Sequence, residues 1–132
     1  MTRKLLMVIV ACGVLFLTSQ SAAQGTVKVN PTQAVFTASP DHASTDPVLV
    51  TSYTLIVKTG ATDVRSTDLG KPTPNGSGDI TVPLVKTGLQ NNVTYTFDIV
   101  TVGPAGSTRS TASSNPFVWA DAPGSASNLR AQ

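Results

Sequence analysis

The alternating run from residue 94 to residue 99 constrains the fold of this chain more than any other feature. Large apolar side chains occupy every second position, at Tyr95, Phe97 and Ile99. The positions between them are polar, at Thr94, Thr96 and Asp98. Because successive side chains of a strand point to opposite faces, this period predicts a half-buried β-strand with a solvated polar face. Turn-forming stretches flank it at 91–92 and 103–106, so we interpret it as the central strand of a small sandwich.

The first 23 residues have the pattern of a signal peptide. Arg3 and Lys4 form a positively charged start, and residues 5–17 form an uninterrupted run that lacks charge. Ser21 and Ala23 fit the small-x-small cleavage pattern, which predicts Gln24 as the mature N-terminus. The run is shorter than the roughly 20 residues of a membrane helix, and no later stretch qualifies. We therefore expect no membrane span and a secreted or periplasmic location, from a bacterial source.

An alternative for the same segment is a lipid anchor. Residues 9–12 (IVAC) resemble a bacterial lipobox, in which Cys12 would be lipidated and would become the mature N-terminus. Against this, residues 14–17 continue the apolar run beyond Cys12, whereas a lipoprotein normally becomes polar there. The cleaved signal peptide is the favoured interpretation.

Charge and cysteine content restrict the classes of function. The chain has nine Lys and Arg and seven Asp, and removal of Arg3 and Lys4 leaves seven of each sign, a net charge of zero. This balance offers no electrostatic reason to bind nucleic acid or an anionic membrane. Cys12 is the only cysteine, so the mature chain can have neither a disulfide nor a thiolate metal site. Residues 24–132 are long enough for one domain.

Short strand patterns recur along the chain between stretches rich in turn-forming residues. Besides the central run they cover 27–29, 34–38, 49–58, 63–69, 79–86 and 115–120. Apolar residues alternate in them, as at Tyr53, Leu55 and Val57 in the third. Pro83 lacks an N–H group and predicts that its strand lies at a sheet edge. About seven short strands without an amphipathic helix predict an all-β, antiparallel β-sandwich.

From Leu89 onward the chain resembles a fibronectin type III domain. Leu89 lies six residues before Tyr95, an alternating strand follows, and a Gly-containing turn at 103–106 ends it. The resemblance covers residues 34–120 and implies an immunoglobulin-like sandwich. It also implies that the Tyr95 hydroxyl bonds a nearby backbone group with Leu89 packed beneath. The family usually has a Trp in its second strand, where this chain has Phe36, and the resemblance implies no enzymatic activity.

The two ends of the predicted domain are less defined. Residues 24–33 predict an N-terminal arm or a short edge strand that Pro31 interrupts. Residues 121–132 form a small, polar tail, and its Ala122-Pro123 sequence resembles the first strand of such domains. The tail is either disordered, which we favour, or paired as an edge strand.

The loop at 39–47 contains the side chains that most resemble a reactive site. His42 adjoins Asp41, with Ser39 and Ser44 nearby, but residues that are adjacent in an extended loop point apart and cannot converge as a hydrolytic triad. We expect a structural role for His42 and no catalytic residue. Asp41 and Asp46 could share a calcium ion, but capping of turns is the favoured role, and we expect no metal and no cofactor.

Three further residues have alternative interpretations. Trp119 is the one aromatic not assigned to a core position, so it could stack on a sugar ring or cover the end of the sandwich. Asn75 and Asn92 each begin a glycosylation sequon, which we expect to be unmodified, and Asn75-Gly76 predicts a turn.

These observations favour a secreted, non-catalytic module for protein binding or structural spacing. Its partner would be a protein or an extracellular polymer, and we expect a monomer that acts through the loops at 39–47 and 70–78 or through its sheet edges. A carbohydrate-binding accessory module is the alternative.

Overall fold

The computed structural model describes residues 25–127 and 130–132, and all their regular structure is β-strand. The strands in chain order are β1 (Lys28–Val29), β2 (Gln33–Thr37), β3 (Ser52–Thr59), β4 (Thr62–Gly70), β5 (Asp79–Pro83), β6 (Thr94–Gly103), β7 (Gly106–Arg109) and β8 (Phe117–Val118). The all-β prediction is confirmed. None of these residues belongs to a helix that could cross a membrane. The predicted signal peptide, its cleavage site and Cys12 lie outside the described residues.

The larger sheet is built around β6, as the alternating run predicts. Its strand order is β1-β8-β6-β3-β4, and β7 pairs with β6 beyond the end of β8. β6 and β3 are antiparallel and pair from Ser52↔Val102 to Lys58↔Thr96. β4 lies at the edge of this sheet, where its polar composition places it in the prediction.

The sheet is mixed, so the expectation of purely antiparallel pairing is wrong at one place. β1 runs parallel to β8, with the Lys28 amide donating to the Pro116 carbonyl and the Asn30 amide to the Val118 carbonyl, each at 2.9 Å. Asn30 then has a positive φ of 49°, and Pro31 has no N–H with which to continue the ladder. The N-terminal residues therefore form a two-residue edge strand, and the chain turns away into β2.

The smaller sheet consists of β2 and β5, antiparallel from Gln33↔Pro83 to Thr37↔Asp79. Backbone bonds from Ala38 to Gly78 and from Leu84 to Thr32, each 2.9 Å, extend the ladder at both ends. Bonded pairs alternate along an antiparallel ladder, so the even-numbered residues of β2 bond with β5. The backbone groups of the odd-numbered residues point to the free edge. Pro83 lies in a strand with one free edge, as predicted.

The two sheets pack face to face over one apolar core, which makes the fold a β-sandwich. The core is formed by Ala34, Val50, Tyr53, Leu55, Val57, Ile80, Val82, Leu84, Leu89, Tyr95, Ile99, Phe117 and Trp119. The predicted inward faces of β3, β5 and β6 are therefore confirmed, with Phe36 and Phe97 partly buried at its margin. Burial of an aliphatic side chain such as Ile80 contributes about 2 kcal/mol.

The loop before β6 is fixed by the contact expected of Tyr95. The Tyr95 hydroxyl accepts a hydrogen bond from the Gln90 amide at 2.9 Å, and Leu89 is buried in the core. A buried phenol thus keeps its polar atom bonded while its ring packs against Phe117 and Trp119. This contact fastens the 84–93 connection, which joins the two sheets.

Candidate binding groove

A groove of about 900 Å³ runs along one long side of the sandwich. We call it the open-side groove. Its walls are β2 in the small sheet and the segment from β7 to residue 117 in the large sheet. Its floor is apolar and consists of Phe36, Leu84, Phe97, Ile99 and Phe117. Such a volume is in the range of ligand-binding clefts.

The small-sheet wall of the groove is a strand edge without a partner among the described residues. β2 pairs with β5 only, so the backbone groups of Gln33, Val35 and Thr37 face the groove side. Val35 is 53% exposed on this edge. Natural edges are usually protected by charge, proline or a bulge, and β2 has no charged residue and no proline. The edge is therefore chemically open to another strand.

The large-sheet wall is the segment that follows β7. It no longer pairs with β6 as a regular strand, and two serines hold it there. Ser110 donates its amide to the Ile99 carbonyl at 2.8 Å, and its hydroxyl accepts from the Ile99 amide at 3.2 Å. Ser114 does the same with Phe97, at 2.8 Å for both bonds. In a regular continuation of the β6/β7 ladder, the carbonyls of residues 110 and 112 would accept these bonds. The two hydroxyls take their place, so the β6 amides stay bonded.

Next to this wall lies a carboxylate, that of Asp98, whose burial the sequence pattern does not predict. Asp98 is 5% exposed, although its position on the polar face of β6 predicts a solvated side chain. Lys58 and Arg109 donate to its Oδ2 at 3.3 and 2.7 Å, and Ser113 donates to its Oδ1 at 2.6 Å. Burial raises the pKa of Asp98, but these three hydrogen bonds outweigh it, and the pKa lies below its ordinary value. The prediction is wrong at Asp98 because long neighbouring side chains cover it.

Arg109 extends this cluster across the sheet. Its two terminal nitrogens bond both carboxylate oxygens of Asp63 on β4, at 2.9 and 2.7 Å. Hydrogen bonds from Arg109 lower the pKa of Asp63, and the two carboxylates raise the pKa of Arg109. One guanidinium therefore joins β7, at the groove wall, to the far edge strand. We call Lys58, Asp63, Asp98, Arg109 and Ser113 the Asp98 cluster.

The reactive-looking loop at 39–47 does not assemble a triad. The Tyr53 hydroxyl accepts from the Ser39 amide at 3.1 Å and lies 2.9 Å from His42 Nδ1, to which it can donate its proton. The two rings are stacked with centroids 5.7 Å apart. The Ser39 hydroxyl accepts from the Asp41 amide instead of bonding to His42. A structural role is predicted for His42, and in the structure its ring bonds the buried Tyr53 hydroxyl and not the backbone groups of the loop.

Among residues 25–127 and 130–132, no group of three metal-ligating side chains comes together. Asn75 accepts hydrogen bonds from the Ser77 and Asp79 amides at 2.9 and 3.0 Å, which confirms the predicted turn. Asn92 has a positive φ of 59°, and its backbone amide donates a hydrogen bond to the Trp119 carbonyl.

Trp119 is buried and has no free ring face. It is 6% exposed, packs edge-on against Phe117 with centroids 5.3 Å apart, and contacts Tyr95. Of its two predicted roles, covering the end of the sandwich fits this position. A sugar-stacking platform needs an exposed ring, so Trp119 cannot supply one in this structure.

The open-side groove lies along the side of the sandwich and not at the loops predicted to act. The loops at 39–47 and 70–78 lie together at one end, joined by the Ala38–Gly78 backbone bond and by Thr37 bonding Asp79 at 2.9 Å. Only Ser39 and Pro40 of these loops reach the open-side groove. Two signals in the sequence point to the groove instead: an uncharged β2, and one charge within an otherwise uncharged β6.

No protein-family model, no curated protein and no solved structure matches this chain. The function is therefore inferred from the geometry of the open-side groove.

Proposed function

We propose that this chain is a secreted, non-catalytic β-sandwich module that binds other proteins or spaces neighbouring elements, and that it acts as a monomer. One observation carries the proposal. A sandwich with a single core leaves one long side open, and there an apolar floor adjoins an unprotected strand edge. An apolar cleft beside unpaired backbone is the arrangement by which sheet edges take up partner chains.

We also propose that the sandwich is immunoglobulin-like and of the fibronectin type III kind. Three features support this assignment: the bond between Tyr95 and the Gln90 amide, the burial of Leu89, and the hairpin in which Gly103 pairs with Gly106. Domains of this architecture present binding surfaces on loops and edges of a rigid scaffold.

The proposed location is outside the cytoplasm, in the periplasm or the medium. Its support is the charged start, the apolar run at residues 5–17 and the small residues Ser21 and Ala23. Mass spectrometry of the protein recovered from the producing cell tests this, because an N-terminus at Gln24 and a lipidated Cys12 differ in mass.

The test of protein binding compares two variants of the same sheet. Val35→Lys places a charge on the free edge of β2, and Thr81→Lys places one on the free edge of β5, directly opposite Val35 in the register. Each chain is immobilised and exposed to envelope and extracellular proteins of the producing organism. We expect the parent and Thr81→Lys to retain the same protein, and Val35→Lys to lose it.

Two outcomes would overturn the proposal. One is hydrolysis of a peptide, ester or glycosidic substrate that disappears in His42→Ala while the variant stays folded. The other is retention on insoluble polysaccharide by the parent and both edge variants alike, with no protein captured. The second outcome would favour the carbohydrate-binding alternative on a surface other than Trp119.

A further inference from the structure

We infer that the open-side groove takes up an extended segment of a partner protein as an added strand beside β2, with apolar side chains on the groove floor and an acidic residue next to Lys28. This inference rests on the proposed protein-binding function and states the chemistry of the partner.

The backbone of β2 selects the class of ligand. Gln33, Val35 and Thr37 direct their N–H and C=O groups to the free edge, with donors and acceptors alternating at the spacing of a strand. A ligand that satisfies them all must present the complementary series about 4.8 Å away. A polypeptide backbone does so, whereas an acyl chain has no such groups and a sugar has them at other spacings.

The groove floor adds a preference for alternation in the ligand. The side chains of an added strand would point alternately into the groove and out to solvent. Those pointing inward would meet Phe36, Phe97 and Phe117, while those pointing outward would lie beside the exposed Val35. The partner segment is therefore apolar at every second position, and its outward positions are free to be polar.

Charge sets the orientation and disfavours a second copy of this chain. Within residues 25–127 and 130–132, the charged residues that line the groove are Lys28 and Arg109, and no acidic residue lines it. Arg109 already bonds Asp98 and Asp63, whereas Lys28 has no ion pair among the described residues. An acidic side chain on the partner would therefore stabilise the end of the added strand near Lys28. A second β2 edge, with the sequence QAVFT, has no acidic residue to offer.

The opposite wall is arranged before the ligand arrives. Ser110 and Ser114 hold the 110–114 segment on β6, and Ser113 bonds the buried Asp98. A wall fixed in this way loses little conformational entropy when a segment docks against it. The cost of ordering falls on the partner segment, which is extended only when bound.

The probe is a fluorescein-labelled octapeptide of sequence Asp-Thr-Val-Thr-Val-Thr-Val-Thr, titrated with the full chain and followed by fluorescence anisotropy. Two further peptides are N-methylated on one or the other set of alternating amides. Since only one edge of the added strand faces β2, we expect one methylated peptide to lose binding and the other to keep more of it. A peptide with Lys in place of Asp should bind more weakly.

Matched protein variants test the same contact from the other side. Val35→Pro removes one N–H from the free edge of β2 and leaves the bonds to β5 intact, and Thr81→Pro does the same on the free edge of β5. We expect Val35→Pro to weaken peptide binding about tenfold and Thr81→Pro to leave it unchanged. Lys28→Glu should weaken binding, with Lys71→Glu in the 70–78 loop as control. Thermal unfolding establishes that each variant is folded.

Three outcomes would overturn the inference. Equal binding of both methylated peptides would show that no strand is added. Equal capture of a partner protein by the parent and Val35→Pro would leave the proposed function standing and remove only the added strand. A dimer in sedimentation that Val35→Pro abolishes would make the occupant a second copy. The methylated peptides need no substitution, so a variant that fails to fold does not weaken the test.

Discussion

The two long sides of this sandwich are closed in different ways. On the β4/β5 side, Arg65 extends from β4 and donates to the Val85 and Thr87 carbonyls at 2.5 and 3.0 Å, so that only a crevice of about 220 Å³ remains. On the β2/β7 side, the described residues of β2 itself make no hydrogen bond to the large sheet, the Ser39 amide just beyond β2 donates to the Tyr53 hydroxyl of β3, and the groove measures about 900 Å³. The closed side thus differs from the open side by an arginine side chain that reaches from β4 to the connection after β5.

Two sheets can share a core without side-chain hydrogen bonds between them along both long sides. Core residues of both sheets are buried, as Ala34 in β2 and Val57 in β3 show, although Phe36 and Phe97 at the groove floor are only partly buried. The open side instead directs its polar contacts within the large sheet, through the Asp98 cluster. These contacts hold the groove wall on the large sheet and leave the edge of β2 free.

The largest effect is expected from Asp98→Ala, which removes the anchor of the open-side wall. Lys58 and Arg109 would lose a buried partner, and breaking such pairs costs several kcal/mol when both sides are buried. Because both cations are partly exposed, we expect a loss of about 3 kcal/mol in the free energy of unfolding, measured in urea. Asp46→Ala in the exposed loop is the control. Equal losses in the two variants would show that the cluster does not stabilise this side.

Arg65→Met should open the closed side at a smaller cost. It removes two hydrogen bonds from a charged donor, each weakened because the carbonyls can bond water instead, so we expect about 1.5 kcal/mol. Arg130→Met in the tail is the control. Limited proteolysis should show faster cleavage at residues 85–87 in Arg65→Met. If cleavage rises in the 110–116 segment instead, the two sides are not independent.

Ser114→Ala and Ser110→Ala should each cost about 1 kcal/mol, because each leaves a β6 amide without its acceptor. Ser107→Ala, in the regular part of β7, should have little effect. Amide hydrogen exchange provides the direct measurement, since Phe97 should exchange faster in Ser114→Ala and Ile99 in Ser110→Ala. Unchanged protection at both amides would contradict the role assigned to the hydroxyls.

Acid below about pH 4 should act on the Asp98 cluster and not on the Arg65 contact. Hydrogen bonds hold the pKa of Asp98 below its ordinary 3.8, so its contribution is complete above that pH and is lost as the pH falls through the lower folded value. Burial lowers the pKa of Arg65, but arginine stays charged throughout acid solution, so the Arg65 contact does not titrate, whereas Asp63, whose pKa is lowered by its hydrogen bond from Arg109, titrates with the Asp98 cluster. Below about pH 4, Asp98→Asn should lose less stability than the parent, whereas Arg65→Met should lose as much. If stability falls equally with pH in the parent, Asp98→Asn and Arg65→Met, Asp98 does not account for the acid sensitivity.

Much of the sandwich follows from local pattern. The period of two identified β3, β5 and β6 and their buried faces, because one face of each strand meets the core. Pro83 and the polar β4 marked edges for equally local reasons. Strand ends differ from the prediction by a few residues, as at β5, which ends at Pro83 with one further ladder bond from Leu84, whereas the predicted strand extends to Lys86.

What escaped prediction depended on residues distant in the chain. Asp98 has a polar-face position, but Arg109 and Lys58, which cover it, come from other strands. From sequence, Trp119 fits an exposed sugar-stacking residue as well as a core residue. Its contacts with Phe117 and Tyr95 in the folded chain decide that it is buried. The parallel pairing of β1 with β8 joins segments about ninety residues apart.

Neighbouring residues are enough to specify that this chain forms short strands, and they identify the face of β3, β5 and β6 that meets the core. Only the tertiary structure decided which edges remain free. Whether β2 has a second neighbour depends on where β1 pairs, and β1 pairs with β8 of the other sheet. The edge of β2 stays free because β1 pairs with β8, about ninety residues away, and not with β2, which follows it directly in the chain; no local pattern of apolar and polar residues encodes that choice.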